Sequence, residues 1–168
     1  MKYLIYALLV PLLIPFQVLG FDRLSIGGIR PDLSLVAVSL IGLHMGEMEA
    51  VTVGAALGFT QDLLSGSLLW GNLCLKPLVG LLAGLARRNL VNLTMKFVFA
   101  LLLALSIFSG SVMFLLKSLT GPGADFFAAA RETILPQACY DAVLGTVVLM
   151  LMQRWGPARK SYTVITNE

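Results

Sequence analysis

Three ionisable residues stand inside apolar sequence and are the first candidates for chemistry. They are Asp62 in GFTQDLLSG (58–66), Lys76 in LCLKPLVG (73–80) and Asp141 in PQACYDAVLG (136–145). A lone charge deep in a bilayer costs at least ~2.5–3.5 kcal/mol on insertion scales, so such groups face a protein interior and pair. Acidic and basic groups together at depth could form a substrate site or a proton path. The same groups could equally lock the register of the helices that carry them. We expect Lys76 to meet Asp141 or Asp62, and loss of one partner to cost several kcal/mol because the survivor is left unpaired. No catalytic constellation accompanies them. Ser65, Ser67 and His44 have no spacing that makes a triad, and His44 reads as an interfacial residue beside a short hairpin. Cys74 and Cys139 fall in apolar runs and read as small buried side chains rather than a disulfide. One His and no clustered Cys leave a metal site almost without support, and no cofactor is expected.

The elements that hold these charges must be membrane helices. The chain has 168 residues, 58% hydrophobic and only 12% charged, against roughly 25% charged in soluble domains. Its mean hydropathy is +0.88. A chain this short and apolar could not cover a soluble surface, so we expect an all-α integral membrane protein with one domain, residues 1–155. A formal charge of +3 is too small to argue for nucleic acid. About 20 apolar residues cross a bilayer core. Runs at 3–21, 31–46, 50–65, 69–86, 97–116 and 134–153 predict six transmembrane helices, followed by a short tail at 156–168. The first run, with Lys2 before it and VLG near its end, has a rival reading as a cleaved signal peptide. The longest connection, 118–132 (SLTGPGADFFAAARE), holds a Gly-Pro-Gly turn. Phe126 and Phe127 then begin a stretch that could lie in the interface or touch a partner.

Basic residues set the orientation. With the amino terminus inside, Lys2, Arg87, Arg88, Lys96, Arg154, Arg159 and Lys160 lie inside, and Arg23, Arg30, Lys117 and Arg131 outside. Seven against four favours both termini in the cytoplasm. Asp62, Lys76 and Asp141 then share a layer in the outer half of the membrane.

Small residues must bring these helices together, because lipid offers no hydrophobic drive for association. Gly42 and Gly46, Gly54 and Gly58, and Gly80 and Gly84 each form a pair at four-residue spacing on three consecutive runs. One pair would mean little; three in succession predict a tight bundle. RPDL (30–33) suits a helix start: Pro31 in the first turn and Asp32 against the positive end of the dipole.

The order and spacing of these motifs resemble the rod shape-determining MreD family. The likeness rests on IRPDLSLVAVSLIGLHMGEMEAVTVGAALGFTQDLLSG (29–66) and GNLCLKPLVGLLAGLARR (71–88), about a third of the chain. Arg30, Pro31 and Asp32 open the second run, Asp62 follows the Gly-rich third, and Asn72 begins the fourth. Trp70 stands where the family usually has Gly, and Phe59 and Thr60 replace a Leu-rich stretch. The resemblance implies a non-enzymatic protein of the bacterial inner membrane, belonging to the elongation machinery (the elongasome) that directs lateral peptidoglycan synthesis. It implies binding to the single-span protein MreC. Through MreC it implies indirect contact with RodA, a penicillin-binding transpeptidase and MreB filaments. It also implies a fold similar to the six-helix substrate-binding components of energy-coupling-factor transporters. That kinship supplies the alternative, a vitamin-binding component. Against it, the first run lacks the Ala-x-x-x-Ala docking pair, since Ala7 is followed by Pro11. Polar groups for a pocket are also few: Gln61, Asn72, Lys76, Gln137, Tyr140 and Asp141.

Overall fold

The computed structural model describes residues 29–65, 70–89, 94–120 and 125–155. The run at 3–21 and the tail at 156–168 lie outside the described residues. The helices are α1 (Leu33–Met45), α2 (Glu47–Ser65), α3 (Gly71–Asn89), α4 (Met95–Thr120), the short α5 (Phe126–Ala129) and α6 (Leu135–Trp155). A π-helical turn, Ala130–Ile134, joins α5 to α6. The described residues hold no strand. Two stretches, Met95–Leu119 and Phe126–Arg154, are long and apolar enough to cross a membrane. α1 is apolar but has only 13 residues.

Each start has a local cause. Asp32 caps α1 by accepting the Leu35 N–H at 3.0 Å. Glu47 and Glu49 occupy the first turn of α2, where the helix dipole favours acid. Arg87 and Arg88 sit in the last turn of α3, where it favours base. Within 118–132 the described residues 118–120 and 126–132 are helical. α4 runs on to Thr120, and Phe126 already begins the helical path into α6. Phe126 packs edge-on against Phe114 of α4 with ring centroids 5.4 Å apart.

α1 is the hub. It contacts α2, α3, α4 and α6, and Leu35, Val36, Val38, Leu40 and Leu43 are all buried. A helix apolar on every side belongs in an interior. α2 and α3 form the closest antiparallel pair, and α4 packs with α6.

Glycine sets the α2–α3 distance. A Cβ at Gly58 would stand 2.3 Å from the Asn72 carbonyl oxygen, and one at Gly54 would stand 2.8 Å from that of Lys76. Gly80 and Gly84 approach the backbones of Ala50 and Glu47 in the same way, and Gly42 fits against Gly80 and Ala83. Gly46 does something else. Its nearest neighbour would be Arg87 Nη1 at 3.9 Å, and its φ of +118° turns the chain between α1 and α2. The sequence pairing of Gly42 with Gly46 as one packing groove is therefore corrected: Gly46 is a turn residue, because only glycine adopts that backbone without strain.

Candidate functional site

The polar core gathers where α1 and α3 begin and α2 ends. Asp62, Lys76 and Asp141 are all buried, at 3%, 0% and 0% exposure. Their partners differ from the sequence expectation. Lys76 Nζ forms its ion pair with Asp32 Oδ2, not with Asp141 or Asp62. Asp32 was read as a helix-start residue, and it is one. Its other oxygen, Oδ1, accepts the Leu35 N–H. A carboxylate has two oxygens and about four lone-pair sites, so one group can cap a helix and hold an ammonium together.

Asp141 comes from α6 to the same point. Its Oδ1 accepts the backbone N–H of Asp32 at 2.7 Å, and its Oδ2 accepts the Ser106 hydroxyl at 2.6 Å. It therefore ties α6 to the start of α1 and to α4. Asp62 works one step away. Its Oδ1 accepts the Asn72 N–H and side-chain amide at 3.2 and 2.8 Å, and its Oδ2 accepts the Leu73 N–H at 2.9 Å. The last full turn of α2 thus caps the first turn of α3, supplying acceptors for donors that have no partner within their own helix. Ser34 links the two halves: its Oγ lies 2.6 Å from Asp32 Oδ1 and 2.9 Å from Gln61 Oε1. One hydroxyl proton serves one of those acceptors at a time.

Trp70, the residue before α3, has a φ of +90°. This is a left-handed backbone that a bulky residue adopts under strain. Pro77 in the middle of α3 has no N–H to give to the Leu73 carbonyl. Arg30 is exposed and Pro31 buried just ahead of the cap. His44 places Nδ1 3.0 Å from the Leu40 carbonyl, at the opposite end of α1. Cys74 and Cys139 are exposed on the outer faces of α3 and α6 rather than buried, and both are free. No group of three or more His, Cys, Asp or Glu side chains suited to a metal ion occurs among the described residues.

Ser34 and Ser106 are functional members of this core that the sequence reading missed. Serine in an apolar helix ordinarily satisfies itself on its own backbone, so its identity alone gives no signal.

A cavity of about 430 Å³ opens beside the core. Asp32, Gln61, Asn72, Ser106 and Lys117 are among its polar lining, and Met113, Phe114 and Ile134 among its apolar lining.

The family model for the rod shape-determining protein MreD matches residues 1–155. That span reaches beyond the 29–88 motif region to include the first run, α4 and α6. No curated protein and no solved structure matches the chain. A match over nearly the whole length, together with the motif residues Arg30, Pro31, Asp32, Asp62 and Asn72 around one capped and ion-paired core, places the chain in the MreD family of rod shape-determining proteins.

Proposed function

We propose that the chain is a non-enzymatic scaffold of the bacterial cell-elongation machinery, holding an MreC-like single-span protein in the inner membrane. Family membership supports the role in rod shape. One observation favours a scaffold over an enzyme: the buried charges are spent on the fold. Asp32 holds Lys76 and caps α1, Asp62 caps α3, and Asp141 joins α6 to α1 and α4. A group committed to helix ends and to an ion pair fixes geometry, and a partner is best gripped by a surface of fixed geometry.

On this reading the run at 3–21 adds a sixth crossing to α1, α2, α3, α4 and α6, in a bundle similar to the substrate-binding components of energy-coupling-factor transporters. Both termini face the cytoplasm, as the distribution of Lys and Arg favours. Contact with RodA, the transpeptidase and MreB passes through MreC and bears on lateral peptidoglycan synthesis.

The test is co-purification of the tagged full chain from native membranes in mild detergent. We expect an MreC-like protein in the eluate. Recovery of only an ATPase-coupled transporter would replace this reading with the vitamin-transport one.

A further inference from the structure

α1 is apolar on every side, and a helix of that kind belongs in an interior. Along one stripe that interior is incomplete. Leu33, Ala37, Ile41 and His44 are only half-buried, whereas the residues between them are buried. Steps of four, four and three residues put these positions on one face. The stripe runs the length of the helix, about 16 Å at 1.5 Å per residue. Gly42, on the opposite face, meets Gly80 and Ala83 of α3. Ile41 packs on Val38, Val53 and Leu57, which sets α2 along one edge of the stripe. A Cβ at Gly145 would stand 3.2 Å from Val36 Cγ1, which sets α6 along the other. Among the described residues α2 and α6 share no packing interface. The stripe is therefore the floor of a groove between them.

The groove suits an apolar helix. Leu33, Ala37 and Ile41 bring no polar side chain to its floor, and the small Ala37 lets a neighbouring backbone come close. His44, at the end of the stripe, already places Nδ1 against the Leu40 carbonyl. Ala56 and Thr60 lie beside Val53 and Leu57 around α2, on the side away from Gly54 and Gly58. The Thr60 hydroxyl donates to the Ala56 carbonyl at 2.8 Å, so its proton is spent within its own helix. A charged or strongly polar segment would find little to pair with here.

The chain itself holds such a segment. Residues 3–21 are an apolar run of 19 residues, about 28 Å long as a helix and enough to cover the stripe from end to end. Only residues 22–28 separate that run from Ile29, where the described chain leads into α1. Consecutive helices joined by a short connection lie side by side and antiparallel. A neighbour delivered at the Leu33 end of α1 finds α2, α3, α4 and α6 already in place, and the stripe is the side left open. We propose that residues 3–21 lie antiparallel to α1 on the Leu33–Ala37–Ile41–His44 stripe, between α2 and α6, and close this groove to any partner. The inference rests on the six-crossing reading of the run. It sharpens the scaffold reading as well, because the partner's helix must then be received on an outer face of the bundle and not against α1.

The test links the two segments in the full chain, in native membranes. Cys74 and Cys139, both free, are replaced by Ala, and a protease site is placed within 22–28. Ala37→Cys is combined in turn with Leu13→Cys, Ile14→Cys, Phe16→Cys and Gln17→Cys, which together go once round the run. A disulfide forms only where two Cα atoms come within about 7 Å. After oxidation and cleavage, at least one pair should migrate as a single band that separates into two fragments on reduction. The same four changes paired with Leu82→Cys, at an exposed position of α3, should give two fragments without reduction. A reducible dimer from Ala37→Cys alone would overturn the proposal and give the stripe to a second copy. A reducible adduct with an MreC-like protein would overturn it and leave the scaffold reading standing. No link at any position, with the run retained, would give the stripe to lipid. Loss of the run from the mature chain, read from its mass, would remove the sixth crossing together with this inference. Should Ala37→Cys fail to fold, Ile41→Cys on the same stripe, paired with Leu9→Cys, Val10→Cys, Leu12→Cys and Leu13→Cys, supplies the same comparison.

Discussion

Replacing Lys76 by Met removes the partner of Asp32 while keeping a long, flexible side chain in the space. Lys76 is wholly enclosed, and the Asp32 side chain is 16% exposed. Breaking a buried ion pair costs about 3–5 kcal/mol, because the remaining charge keeps its desolvation penalty and loses its attraction. Asp32 retains the Leu35 N–H and a little water, which puts Lys76→Met at the low end, about 3 kcal/mol. Asp32→Asn still caps α1 but strands an ammonium with no exposure at all, so about 4 kcal/mol is expected. The double variant removes both charges and keeps the cap. Because neither charge is stranded, it should cost less than either single variant and far less than the sum of about 7 kcal/mol, a coupling of about 3 kcal/mol or more. The control cycle pairs Lys76→Met with Asp141→Asn. Asp141 bonds the Asp32 backbone and Ser106 rather than the lysine, so its coupling, carried only through the shared Asp32, should be smaller than that of Asp32. The assay is unfolding by sodium dodecyl sulfate, titrated into the detergent-purified full chain and followed by far-ultraviolet circular dichroism. A larger coupling to Asp141 than to Asp32, or strict additivity in both cycles, would refute the assignment of the pair.

Three further outcomes use the same titration. Gly58→Ala places a carbon where only 2.3 Å separates it from the Asn72 oxygen; α2 and α3 must part, at a cost of about 3 kcal/mol, the upper part of the overpacking range. Trp70→Gly should raise stability by about 1 kcal/mol through relief of the left-handed backbone, since the indole is 65% exposed and packs little; Trp70→Ala should give no gain. Asp62→Ala removes the acceptor of three donors on Asn72 and Leu73 and should cost about 3 kcal/mol, whereas Asp62→Asn keeps one acceptor oxygen and should cost about 1 kcal/mol.

The sequence was most readable where a residue type clashes with its surroundings. A carboxylate or ammonium in apolar sequence has few options other than enclosure, so Asp62, Lys76 and Asp141 could be singled out without coordinates. Their pairing was not readable. Asp32 lies next to Pro31 at a helix start, and the capping role was sufficient reason for it; nothing in a linear string shows that its second oxygen faces the lysine of a helix 44 residues on. Glycine spacing pointed to the α2–α3 seam for a similar reason, since a missing side chain matters only where something approaches. Spacing could not tell Gly42 from Gly46, because the distinction lies in the backbone angle at the turn. The cavity wall was the least legible part. Ser109 and Thr133 are ordinary residues in helical segments, and only the fold brings them to one cavity.

The glycine seam and the ion pair depend on each other. On the proposed six-crossing topology, lipid supplies no hydrophobic reason for α2 to touch α3, so contact between backbones must provide the attraction. Glycine permits that contact at Gly54, directly against the Lys76 carbonyl. Once the two backbones meet there, no lipid or water can reach the root of the lysine, and its ammonium must find an anion inside the bundle. Asp32 answers from α1, and its own N–H is held by Asp141 from α6. Close packing therefore creates the need for the pair, and the pair fixes which helices may pack. A slip of α3 by one turn, about 5.4 Å, would uncover the glycines and separate the charges in the same movement. Register is thereby specified twice by one set of contacts, as the proposed scaffold role would require.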